Sequence, residues 1–229
     1  MRDTALRFLY EQDTFAAIEY LSGLPDPVAT VRLYSDLVHH LYWEKKDTHR
    51  MIVMAQAGIQ YGLTAAKACD AQDTDRAGEL RGIAKGLAYD LGSFTWPGWD
   101  EPGIEIAEAH LRFGLEAAQV NLRLAQELSK GDLPLSRAYW LLGAHFLAIG
   151  EKESATARFA DATRHAQAAG ADAEALLGAG YQCLVSVLAS PDDATLRDNL
   201  IASQRQLAAM EKGAGLAEQL QTAWKVFAD

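Results

Sequence analysis

The segment from Tyr139 to Ala162 constrains the fold of this chain more than any other. Large and small residues follow one another there at helical intervals: Tyr139, Leu142-Gly143, Phe146, Gly150, Ala155, Phe159 and Ala162. Gly143 and Ala155 carry little or no side chain, so two short antiparallel helices can approach closely at those points. Phe146 and Phe159 then fill the space between them. Gly150 supplies the permissive backbone of the turn that joins them.

Helical periodicity continues through nearly the whole sequence, and the breaks fall where caps and turns belong. A first amphipathic stretch covers about 2 to 22, with a bend near Asp13, and ends at Gly23-Leu24-Pro25-Asp26-Pro27. A second helix, about 28 to 45, places Val31, Tyr34, Leu37, Val38 and Leu41 on one face. Asp47 or Thr48 caps a third that ends near Cys69, and Asp73 or Thr74 caps a fourth that ends near Leu91. The longest loop, Gly92 to Gly103, follows. Further helices are expected over about 104–129, 135–149, 151–169, 172–189, 192–212 and 215–228. Alanine and leucine are abundant, proline is scarce, and β-branched runs are almost absent. No segment reads as a strand. The expected fold class is all-α.

A glycine followed three residues later by an aromatic recurs at Gly58/Tyr61, Gly86/Tyr89, Gly143/Phe146 and Gly178/Tyr181. On a helix such residues are neighbours, so each pair joins a groove to a knob. Successive pairs are 28, 57 and 35 residues apart. The Tyr139 to Ala162 pattern resembles a tetratricopeptide repeat, a family whose period is about 34 residues. The likeness covers 136–169, extends in part to about 210, and is architectural before 135. Leu177, Gly178 and Tyr181 repeat Leu142, Gly143 and Phe146, so a second unit starts near Glu174. Two departures stand out. Gln167 occupies the place of the family's late proline, and Pro191 falls near the small residue of the second unit.

The resemblance implies antiparallel helix hairpins stacked as an α-solenoid, a right-handed superhelix whose first helices line a concave groove. One helical-repeat domain over 1–229 is expected: a divergent half (1–91), an aromatic loop (92–103) and a tetratricopeptide-like half (104–229). It also implies a non-catalytic scaffold for protein–protein or peptide binding. Tyr139, Asn121, His145 and Gln182 are then expected to line the groove.

At 229 residues the chain is long enough to bury roughly 70% of its unfolded surface without disulfides or metals. A formal charge of −10, with 21 scattered Lys and Arg, argues against nucleic acid. It suits a basic protein or peptide partner, although net charge also serves solubility alone. Cys69 and Cys183 lie far apart without CxxC spacing and are expected to be reduced. No apolar run approaches the ~20 residues that span a bilayer, and Arg2, Asp3, Arg7 and Glu11 break up any signal-like core. A cytoplasmic location and no membrane partner follow as expectations.

Two clusters invite a functional reading. Trp96 and Trp99 flank Pro97-Gly98, with Asp100 and Glu101 beside them. They form either a stacking surface for a ligand or a plug between helices. Asp36, His40 and Glu44 fall at i, i+4 and i+8 on a stripe expected to lie opposite the core. With His39 and His49 they are the basis of an alternative, a metal-dependent or small-molecule-binding helical enzyme. Trp43 lies close to that stripe and is a further ligand-facing residue. A ferritin-like site would need Glu-x-x-His motifs on other helices, and none occurs. Neither a phosphate loop, a nucleophile elbow nor a Cys–His constellation is present, so no cofactor is expected. Finally, Leu216, Leu220, Trp224 and Phe227 form a terminal apolar stripe. It either docks on the preceding hairpin or forms a homodimer interface.

Overall fold

The computed structural model describes residues 1–69 and 72–228, and among them the regular structure is entirely helical. The helices are α1 (Arg2–Glu11), α2 (Thr14–Ser22), α3 (Pro27–Trp43), α4 (Thr48–Cys69), α5 (Thr74–Phe94) and α6 (Glu108–Glu127). They continue with α7 (Asp132–Ala148), α8 (Lys152–Ala168), α9 (Asp172–Ala189), α10 (Ala194–Ala209) and α11 (Ala214–Ala228). A single 3-10 turn, Pro97–Trp99, interrupts the α5–α6 connection. None of the described helices is long and apolar enough to cross a membrane.

Side-chain caps set five of the helix starts. Asp13, Asp26, Asp47, Asp73 and Asp193 each accept a backbone N–H from the first turn that follows. Asp13 does more than bend the first stretch. Its carboxylate accepts from Ala16 N at 2.8 Å and starts a separate helix, so the expected 2–22 element is two helices. The helix expected from 104 begins only at Glu108. Gly150 and Gly170 close α7 and α8 with φ of +82° and +66°, so Gly170 provides a stop three residues beyond Gln167.

From α3 to α11 each helix packs on its successor, and α3, α5, α7, α9 and α11 also touch in series. Helix α1 lies on α2 and α3, and α2 on α4. The apolar side chains form two clusters. One gathers Tyr34, Leu37, Leu41, Met51, Met54 and Leu80 with Phe94. The other gathers Trp96, Trp140, Phe159, Tyr181, Leu184 and Leu220. Close helix approach depends on three of the four paired glycines. A Cβ on Gly58 would lie 2.7 Å from Tyr34 Cβ, one on Gly143 2.9 Å from the Phe159 ring, and one on Gly178 2.5 Å from Thr163 Oγ1. Gly86 is different, since a Cβ there meets nothing within 4 Å. Its groove is unused.

Candidate functional site

The α5–α6 connection folds inward, and this creates a concavity beside the second cluster. Thr95 Oγ1 donates to Leu91 O at 2.6 Å and fixes the chain as it leaves α5. Trp96 is then driven into the core, 1% exposed, with its indole N–H donating to Ala144 O at 3.0 Å. Its ring meets Trp99, Trp140, Tyr181 and Phe227 at centroid distances between 5.1 and 6.2 Å. Gly98 lies against the same indole so closely that no Cβ fits. Trp99 follows as the last residue of the 3-10 turn, and its N–H donates to Ser93 O at 2.8 Å. Two ion pairs hold the outer part of the loop, Lys46–Glu101 and Lys225–Asp100. Of the two outcomes open for this loop, Trp96 takes the plug, while Trp99 is only partly buried.

Beside Trp99 lies a cavity of about 250 Å³, bounded by α5, α7, α8, α9, α11 and the 3-10 turn. Its apolar walls are Trp99, Trp140, Ala162, Leu177 and Leu216. Its polar side carries Tyr89, Ser136, Arg137, Glu174 and Gln219. Arg137 Nη2 donates to Glu174 Oε1 at 3.0 Å across the α7–α9 gap. Burial raises the Tyr89 phenol above its ordinary value, and the Arg137 charge offsets part of that rise. Ser136 Oγ is engaged with Ala162 O at 2.8 Å, and Gln219 Nε2 donates to Tyr181 OH at 3.2 Å. The buried Trp140 Nε1–H has no hydrogen-bond partner among the described residues. A mostly apolar pocket with a few converging polar groups is the usual form of a ligand site.

The other residues singled out from sequence lie elsewhere. His145 is fully buried, and its Nε2–H donates to Gly92 O at 2.8 Å. It packs against the α5 end and faces no groove. Tyr139 stacks on His165 with rings 5.3 Å apart and accepts from Gln126 Nε2. Gln182 Nε2 donates to Thr163 Oγ1 at 3.3 Å, and the buried Asn121 donates to Lys85 O at 2.9 Å. Trp43 is half exposed, edge-on to Tyr42 and Phe94, with Lys46 Nζ 5.4 Å from its ring. Of the side chains named as ligand-facing, Trp99 alone lines the cavity.

The histidine stripe also needs correction. His40 does not point away from the core but is buried, because α1 packs over α3 and brings Arg2 to it. His40 Nδ1 lies 2.8 Å from Arg2 Nη2 and 2.9 Å from Glu44 Oε2. His39 turns the other way and donates from Nε2 to Asp90 Oδ2 at 3.0 Å, while His49 is exposed. Burial raises the Asp90 carboxyl, and His39 offsets part of the shift. Among the described residues no three His, Cys, Asp or Glu side chains gather as a metal would require.

No protein-family model matches the chain, and no curated protein matches it.

Sequence reasoning missed Trp140, Arg137 and Glu174. A usable signal was present in α7, where Ser136, Arg137 and Trp140 fall at i, i+1 and i+4 on one side of the helix. What was not local is the opposing wall, supplied by Leu177 and Leu216 from two later helices.

Proposed function

We propose that this chain is a tetratricopeptide-like helical scaffold, non-catalytic, that binds a peptide segment of a partner protein. The observation that carries the reading is the cavity beside Trp99 and Trp140, flanked by α5, α7, α9 and α11. These helices touch in series, as the first helices of stacked hairpins would, and so present a continuous row. The remainder of the row is consistent with a solenoid, with α6, α8 and α10 as the second helices. Within that row the cavity has the size and lining to hold one apolar side chain of an extended segment, while Arg137, Glu174 and Gln219 fix its register.

Selection of a random peptide library on the immobilised protein tests this reading. Leu216 is partly exposed and lines the cavity, so Leu216→Glu places a charge there with little effect on the core. Enriched sequences are expected to bind the parent protein and to lose about tenfold or more in affinity for the variant. A selection that enriches nothing, or only sequences that bind both proteins equally, removes the cavity as the peptide site.

A further inference from the structure

We propose that the cavity receives the aromatic first residue of a partner peptide, with its α-ammonium against Glu174 and its first carbonyl oxygen against Arg137. This rests on the peptide-binding reading above and names the chemistry of the segment that docks.

The walls select a ring. Trp99 and Trp140 lie 5.9 Å apart at 47°, and each is also edge-on to Trp96. Another flat ring extends this array through offset and edge-to-face contacts that an aliphatic side chain cannot make. Leu177 and Leu216 complete the apolar enclosure, and about 250 Å³ accommodates one such side chain.

The polar side selects a terminus. Glu174 is 26% exposed, so its carboxylate is partly withdrawn from water, where Arg137 holds it at 3.0 Å. A carboxylate accepts several hydrogen bonds, and a guanidinium donates five. Both therefore retain capacity while paired with each other. An aromatic residue from the interior of a peptide brings only neutral amides to this pair. A C-terminal aromatic residue brings a second carboxylate, which Glu174 repels and which competes with it for the one guanidinium of Arg137. An N-terminal residue brings an ammonium for Glu174 and, next to it, a carbonyl acceptor for Arg137. The formal charge of −10 on the whole chain favours approach of that cationic end.

Calorimetric titration with synthetic ligands tests the assignment. The first is phenylalanyl-alanyl-alanine amide with a free N-terminus. The others are its N-acetyl form, the leucyl analogue and phenethylamine. The free aromatic peptide is expected to bind about tenfold more tightly than the acetylated one, since acetylation removes a charge-assisted hydrogen bond. The leucyl peptide and phenethylamine are each expected to bind several-fold more weakly, the first for want of a ring and the second for want of a carbonyl. Glu174→Gln, a conservative change at a partly exposed position, is expected to erase the preference for the free terminus. Equal binding of free and acetylated peptides overturns the terminal assignment and leaves the peptide-binding reading standing. Phenethylamine binding as tightly as the free peptide overturns the peptide source in favour of a small aromatic amine. Failure of all four to bind overturns this inference, and the library selection then decides the broader reading alone.

Discussion

His145 occupies a site where a neutral ring is required. It is fully buried, and burial holds its pKa down to about 4, only partly opposed by the bond to Gly92 O. The unfolded chain titrates near the ordinary value of 6.5. Between those two pH values the unfolded state carries a proton that the folded state excludes. Stability from this group is therefore complete above 6.5 and drains away as pH falls toward 4, by roughly 3 kcal/mol in all. Urea unfolding across that window is expected to show the loss, with a smaller pH slope in His145→Gln. An unchanged slope in the variant would assign the acid sensitivity to other groups. Glycines at this scale divide by what faces them. Gly143→Leu must displace the Phe159 ring and Arg158 Cβ, at a cost of about 1–3 kcal/mol or more. Gly86→Ala meets open space on an exposed helical position and is expected to stabilise by about 0.4–1 kcal/mol. Thermal denaturation of the two variants gives shifts of opposite sign if the packing is as described. Equal shifts would contradict the close contact at Gly143.

Helices begin where a short polar side chain can satisfy free N–H groups, and that information is local. Asp193 shows it for α10, accepting from Thr195 N at 2.9 Å and Leu196 N at 3.3 Å just after Pro191. Asp193→Ala is expected to lower stability by about 1 kcal/mol, read as a shift of the urea midpoint with unchanged slope. A change in the slope itself would indicate that α10 unfolds as a separate unit. Because caps and periodicity act within four residues, the helical class, the hairpin turn at Gly150 and most boundaries were legible in the sequence. The split at Asp13 was half legible, since the sequence marked a bend there but not the start of a separate helix. The fate of the tryptophan loop was not legible at all. Trp96 finds its acceptor 48 residues away on Ala144, and nothing near Trp96 in the chain announces that partner. The same distance hid the cavity, whose walls come from several helices and one 3-10 turn. His40 illustrates the converse error. Its own helix suggested a solvated stripe, but α1, far off in sequence, covers it.

At the scale of the molecule, α11 determines whether the second cluster is closed. Leu220 is fully buried, Ala217 and Ala223 are buried beside it, and the helix contacts α9, α10 and the 3-10 turn. Phe227 approaches Trp96 with ring centroids 6.1 Å apart. Of the terminal apolar stripe, Leu220 is thus fully covered by its own chain, while Leu216, Trp224 and Phe227 are partly buried. Burial of Leu220 alone contributes about 1.5–3 kcal/mol, against at most about 1 kcal/mol for the exposed Lys225–Asp100 pair. Packing, not the ion pair, holds α11 in place. A chain ending at Lys212 would uncover Tyr181 and Trp96 and remove one wall of the cavity. Such a chain is expected to unfold at a lower urea concentration and to bind an apolar dye, and to lose affinity for any peptide selected on the whole protein. Light scattering on both chains distinguishes the remaining possibility. If the shortened chain kept its midpoint and became monomeric while the parent was a dimer, the stripe would belong to an interface between two copies. If it lost its midpoint with the parent already monomeric, α11 is the closing element of the array, and the cavity beside Trp99 depends on it.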